Sequence, residues 1–277
     1  MEALPGLPYG GAMQTRTIGD HLREWRQRRR LSQLEFAIEA DISQRHLSFI
    51  ESGRSLPSRE MLMHLAERLG VPLRERNPML LAAGFAPVFP ERKLDDPALA
   101  PAWRAIDMLL KGHEPFPALA IDRHWTLVAA NAAVAPLLAG IADISLANPP
   151  VNVLRLSLHP DGLAPRVVNL PEWRNHLLER LRQQTTATGD RALIKLLQEL
   201  SAYPAPPAQK SGPSDRDFAG IAVPLELLTE AGRLSFISTT TIFGTPVDVT
   251  LSELAIESFF PADPETAELL KTMIPSS

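Results

Sequence analysis

The chain has no cysteine in its 277 residues. Disulfides, thiolate nucleophiles and sulfur-ligated zinc or iron–sulfur sites are therefore excluded, and the absence fits a reducing cytoplasm. Its seven histidines are scattered, with neither an HExxH pattern nor paired metal-ligand spacing. His159-Pro160-Asp161-Gly162 reads as a turn. There is no GxSxG elbow and no phosphate-binding loop. The row Thr239-Thr240-Thr241 has no histidine beside it, and threonine is an ordinary strand residue. No stretch is apolar for long enough to span a bilayer. Residues 1–14 lack the basic start and apolar run of a signal peptide. These absences predict a soluble, cytoplasmic, non-enzymatic protein with no metal, no cofactor and no membrane partner.

Lysine is missing from the first 85 residues. That stretch holds 12 arginines against 10 acids, about +2, while the remainder carries 16 basic and 22 acidic residues, about −6. Arg23, Arg26, Arg28, Arg29 and Arg30 crowd one short segment. A basic head on an acidic body suits DNA binding. Taken alone, an arginine run reads first as a solvated helix face.

Residues 1–15 are rich in proline and glycine and are expected to be disordered. Residues 18–83 then keep a helical period with short breaks. A first helix over 18–30 carries Leu22 and Trp25 on its apolar side. A second opens at Ser32, with Glu35 completing a capping box; its expected inner face is Leu34, Ala37 and Ile38. Asp41-Ile42 form a tight turn, Ser43 caps a third helix with Leu47 and Ile50 inward, and Gly53 ends it. Leu62, Leu65 and Leu69 mark a fourth helix stopping at Gly70, and a fifth follows Pro72.

Residues 86–101 form a proline-punctuated linker, beyond which the period changes. A helix over 103–110 precedes strands over 118–122 and 125–130, joined at Asp122-Arg123-His124. Asn131 is expected to cap a short helix through Leu138. Helices follow at 152–157, 171–184 and 190–200, then a loop at 203–217. Strand patterns cover 221–228, 233–243 and 247–259, turning at Glu230-Ala231-Gly232 and Gly244-Thr245-Pro246, before a last helix over 264–273. The fold class is α+β: an all-α head over 16–85 and, over 102–277, a domain built on an antiparallel sheet.

The joint between the second and third helices says more. Leu31-Ser32-Gln33-Leu34-Glu35-Phe36-Ala37 and Ile42-Ser43-Gln44-Arg45-His46-Leu47-Ser48-Phe49-Ile50-Glu51-Ser52-Gly53, followed by Pro57-Ser58, resemble the phage-repressor (XRE) family of helix-turn-helix proteins over residues 18–83. The resemblance implies that the third helix enters the major groove of operator DNA. By position Ser43, Gln44, Arg45 and Ser48 then face the duplex. Gln44 is suited to a bidentate pair with adenine and Arg45 with guanine. Gln33, at the start of the second helix, is placed to hold a phosphate, as are Arg54 and one or more of Arg28, Arg29 and Arg30. His46 lies beside the readers, either in contact or only covering the groove wall. The positions of Arg26 and Glu51 match a buried, structural ion pair of the family. One such head buries too little surface for tight specific binding, so a homodimer on an inverted repeat is expected.

Three segments of the second half carry another resemblance: Ala120-Ile121-Asp122-Arg123-His124-Trp125-Thr126-Leu127-Val128-Ala129-Ala130-Asn131; Asn152-Val153-Leu154-Arg155 with Pro171-Glu172-Trp173; and Thr239-Thr240-Thr241-Ile242-Phe243-Gly244-Thr245-Pro246. They are similar to the MmyB-like ligand-binding domain over residues 94–273. The resemblance implies a PAS-like fold and a small, rather apolar ligand, a fatty acyl group among the options. Trp125, Leu127, Leu138, Trp173, Phe236 and Phe243 are candidate walls, and Asn131, Arg155 and Thr240 candidate polar contacts. Arg155 stands out for holding a carboxylate. Each has a plainer reading: aromatic residues and leucines as core, Asn131 as a cap. Two alternatives share the DNA-binding head, a second domain that only dimerises or meets a protein partner, and an antitoxin-like role.

Overall fold

The computed structural model describes residues 16–204, 223–243 and 248–273. The chain divides into two compact units, Met1–Phe89 and Pro90–Ser277. Residues 1–15, most of the expected 203–217 loop and the Gly244-Thr245-Pro246 turn lie outside the described residues. Among the described residues no helix is long and apolar enough to cross a membrane.

The first unit is five helices: α1 (Ile18–Arg28), α2 (Gln33–Glu39), α3 (Gln44–Glu51), α4 (Arg59–Arg68) and α5 (Leu73–Ala82). Each of the first four starts on a hydroxyl that accepts from a free backbone amide: Thr17, Ser32, Ser43 and Ser58. Thr17 with Asp20, and Ser32 with Glu35, form full capping boxes. Leu22, Trp25, Phe36, Leu47, Ile50 and Leu65 share one core. The inner face of α2 differs from the expected one. Phe36, Ala37 and Ala40 are buried, while Leu34 and Ile38 are 52% and 70% exposed. Over two turns the helical period fits either face, and seating the phenyl ring removes more apolar area from water. Where α1 crosses α3, a Cβ on Gly19 would lie 2.5 Å from the Glu51 carbonyl oxygen, so the two backbones meet there without a side chain between them.

In the second unit, residues expected as a linker are tied down. The Pro90 carbonyl accepts from Val249 N at 2.9 Å, Arg92 pairs with buried Asp248, and the Trp103 indole donates to the Leu94 carbonyl at 2.7 Å. Helix α6 (Ala100–Gly112) leads into β1 (Ala118–Ile121) and β2 (Leu127–Ala130). Then come α7 (Val153–Leu158), α8 (Leu170–Thr188) and α9 (Arg191–Ala202). The chain ends with β3 (Leu225–Thr229), β4 (Gly232–Ile242), α10 (Val249–Ser252), β5 (Ala255–Pro261) and α11 (Pro264–Met273). The strands form one antiparallel sheet in the order β2-β1-β5-β4-β3.

Strand alternation gives the sheet two faces. Ala118, Ala120 and Ile256 pack with Ile106 and Leu110 of α6. Leu225, Leu227, Leu234 and Phe236 pack with Trp173, Leu177 and Leu181 of α8 and Leu196 of α9. Three expectations need correcting. The strand expected over 247–259 begins only at Ala255, because the Asp248 carboxylate accepts from the amides of Thr250 and Leu251 and caps a turn of helix. The 125–130 strand begins only at Leu127, because Trp125 has φ +66°. Asn131 caps no helix. Its side chain accepts from Ala118 N and donates to the carbonyls of Leu110 and Phe116, bracing α6 against β1.

Candidate DNA-reading face and ligand cavity

Helix α3 presents Ser43, Gln44 and Arg45 exposed and His46 and Ser48 half-buried, while Leu47 and Ile50 anchor it inward. No acid stands in its first turn, so the partial positive charge of the helix start is left uncompensated. The Arg45 guanidinium lies 5.3 Å from the Phe49 ring centroid, and that of Arg54 lies 5.7 Å from the same ring. One half-buried aromatic therefore holds the proposed base reader and the proposed phosphate anchor together. The Arg45–Phe49 spacing of four residues on a helix is the signal that sequence reasoning passed over.

The last residue of α3 is Glu51, with a side chain 0% exposed. Arg26 donates Nε and Nη2 to its two oxygens at 2.6 and 2.9 Å, and Nη1 to the Leu31 carbonyl at 2.8 Å. Arg23 Nη2 reaches the Glu51 carbonyl at 2.7 Å. Burial alone would raise the Glu51 carboxyl. Hydrogen bonds from Arg26 and Gln33 and the charges of Arg26 and Arg23 outweigh it and hold the group below the usual carboxylate range. Gln33 is thus placed otherwise than expected, its Nε2 turned inward to Glu51 at 2.9 Å. Within the arginine run, Arg28 pairs with Glu24 and stacks on Trp25, Arg29 donates to the Leu69 and Gly70 carbonyls at the end of α4, and Arg30 is exposed.

In the second unit the face of the sheet opposite α6 borders a partly open cavity of about 110 Å³. Of the 21 described residues that line it, 17 are apolar. The expected walls Trp125, Leu127, Leu138, Trp173 and Phe236 are among them; Phe243 packs on the other face. Trp125 occupies the left-handed backbone region, which costs a side-chain-bearing residue about 1–2 kcal/mol. Its surroundings enforce that shape: Trp125 N donates to the Asp122 carbonyl at 3.0 Å, and Asp122 Oδ1 accepts from the amides of His124 and Thr126. The indole N–H then donates to Gln184 Oε1 at 2.8 Å.

The expected polar contacts lie elsewhere. Asn131 is locked to backbone groups, as described. Arg155 makes a bidentate pair with Glu199 at 2.7 and 2.8 Å on the surface, outside the cavity lining. Thr240 does not line it either, but bonds to both members of a pair that does. That pair is Arg180, from α8, with Glu257, from β5: Nη2 to Oε1 at 2.5 Å and Nη1 to Oε2 at 3.2 Å. The guanidinium also stacks 4.6 Å above the Trp125 ring. Among the described residues, Ser157 and Ser238 complete the polar lining. Arg180 and Glu257 were missed, yet each leaves a trace. Trp173, Leu177, Arg180 and Gln184 recur at helical spacing on α8, and Glu257 is the one charged residue of the largely apolar strand β5, opposite Thr240.

Comparison with known families matches residues 103–273 to the MmyB-like transcription regulator ligand binding domain. Residues 22–76 match a helix-turn-helix family. No curated protein matches the chain at a significant level.

Proposed function

The chain belongs to the family of transcription regulators with an MmyB-like ligand-binding domain and is a DNA-binding regulator; from that premise we propose that a small, rather apolar effector in the Trp125–Trp173 cavity tunes its affinity for an operator. Residues 16–85 read DNA through Gln44 and Arg45, with Ser43 and Ser48 at the groove and Arg54 on phosphate. Residues 102–277 sense the effector, and two copies bind an inverted repeat. What carries this reading is the cavity itself, apolar on nearly every side and bounded by a strained tryptophan. Linkage requires the effector to bind the DNA-competent and incompetent arrangements unequally; about 1–3 kcal/mol is typical.

The test has two parts. Gentle denaturation and mass spectrometry of the purified protein should release a small molecule in stoichiometric amount. Operator titrations with the protein stripped and reloaded should then differ about 5–150-fold in affinity. Identical curves with the molecule demonstrably bound would leave the second unit as a dimerisation or partner module. That second reading has its own support in a groove of about 260 Å³ bordered by Met108 and Leu109, which are exposed together with nearby Ile242.

A further inference from the structure

Building on the reading of the cavity as an effector site, we infer that its preferred occupant is uncharged: a short apolar body carrying one neutral hydrogen-bonding group, such as a hydroxyl. Among the described residues, the only charged ones on the lining are Arg180 and Glu257, and they neutralise each other through two hydrogen bonds. Thr240 Oγ1 sits between them, accepting from Arg180 at 2.6 Å and donating to Glu257 at 2.9 Å. The Trp125 ring covers the guanidinium face. His176, which stacks on Trp173, adds no cation, because burial first and the Arg180 charge second lower its pKa. Arg155, the other cation considered for an acidic headgroup, is engaged with Glu199 outside the lining.

A carboxylate entering this space meets a cation that already has its anion. To bind Arg180 it must either displace Glu257, whose side chain is 6% exposed, and leave that carboxylate buried without its partner, or take the guanidinium's remaining donors and set a second negative charge beside a cation already neutralised. A hydroxyl escapes the conflict, since it donates to Glu257 or to the oxygens of Ser157 and Ser238 and brings no charge of its own. The inner space of about 110 Å³ is open on one side, so it takes the end of a short alkyl chain whose remainder extends outward.

The experiment titrates the stripped, full-length protein at pH 7.5 with 1-hexanol and, separately, with hexanoate, followed by ligand-observed NMR. Hexanol should bind about ten-fold more tightly or better, a difference of roughly 1.4 kcal/mol. In Glu257→Gln the hydrogen-bonding shape is kept and the guanidinium loses its counter-charge, so hexanoate should overtake hexanol. Hexanoate binding wild type as tightly as hexanol overturns the inference, as does an unchanged preference in a folded Glu257→Gln protein. If that variant fails to fold, the wild-type ratio decides alone. Failure of both probes to bind wild type counts against the effector cavity itself and removes the inference with it.

Discussion

Two arginine–glutamate pairs, one in each unit, are built alike and do different things. Arg26–Glu51 and Arg180–Glu257 are both two-point contacts, and each carboxylate takes a further hydrogen bond, from Gln33 in one case and Thr240 in the other. The difference is what lies beyond them. Glu51 is enclosed by α1, α2 and the Arg23 side chain, so its pair can only hold helices together. Glu257 lies on the wall of an open space, so its pair is both a brace between α8 and β5 and a surface that an occupant must satisfy. Chemistry and geometry of a pair do not assign its role; the vacancy or packing behind it does.

The comparison breaks most sharply at Glu51. Glu51→Ala strands Arg26 in the head, and losing one member of a buried pair costs about 3–5 kcal/mol. Urea denaturation should show that loss in the first unit, with operator binding falling because α3 loses its brace. The pH dependence has a fixed sign. Glu51 titrates below its ordinary range when folded, so its stabilisation is full above the unfolded carboxylate pKa and disappears as pH falls through the lower, folded value. Glu51→Gln should remove that acid-limb dependence. A variant as stable as wild type at neutral pH and equally acid-sensitive would show that the head does not depend on the pair.

How far such roles could be read in advance follows the same division. In the head, Ser32 with Glu35, Ser43 and Gly53 are local features that sequence distance places directly, whereas the Arg26–Glu51 pair, 25 residues apart, was legible only through the family resemblance. Gly19 was not legible, because its reason lies across space at the Glu51 carbonyl. Gln33 was legible in position but not in rotamer, since a long amide turns either outward or toward a buried acid. In the second unit the sheet and most helices followed from periodicity; of the aromatic walls named through the family resemblance, Trp125, Trp173 and Phe236 line the cavity and Phe243 does not. The polar end did not. Arg180 and Glu257 are 77 residues apart and meet only once β5 pairs between β1 and β4. Arg155 misled because an arginine on an apolar helix gives no sign of the Glu199 waiting on another helix.

A middle-sized effect separates reading from anchoring on α3. Arg45→Ala should cost about 1–3 kcal/mol on the preferred operator and relax choice at one base pair. Arg54→Ala should weaken specific and random duplexes alike and reduce the salt slope by about 1. Anisotropy titrations at several salt concentrations distinguish the two. Because both guanidinia lean on Phe49, equal losses on both kinds of DNA would show that the shared ring, and not base recognition, sets Arg45's contribution. Gln33→Ala is a poorer probe, since it also removes a hydrogen bond from Glu51.

The smallest effect belongs to a third pair, Arg155–Glu199. It too is bidentate, at 2.7 and 2.8 Å, and Tyr203 donates a hydrogen bond to the same carboxylate. Burial and that bond push the tyrosine up to about 12, and the hydrogen bond from Arg155 comes first among the causes holding Glu199 below its usual range. Yet Arg155 is 44% exposed, and exposed pairs contribute about 0–1 kcal/mol once solvent screening and side-chain ordering are counted. Arg155→Leu should therefore shift the thermal midpoint by no more than a few degrees and leave hexanol binding where it was. Loss of binding in a folded Arg155→Leu protein would move the polar end of the effector site from Arg180 to the surface of α7. Strong destabilisation would instead mean that the three-residue cluster braces α7 against α9 more firmly than its exposure allows, and the ordering of the three pairs by burial would fail at its weakest member.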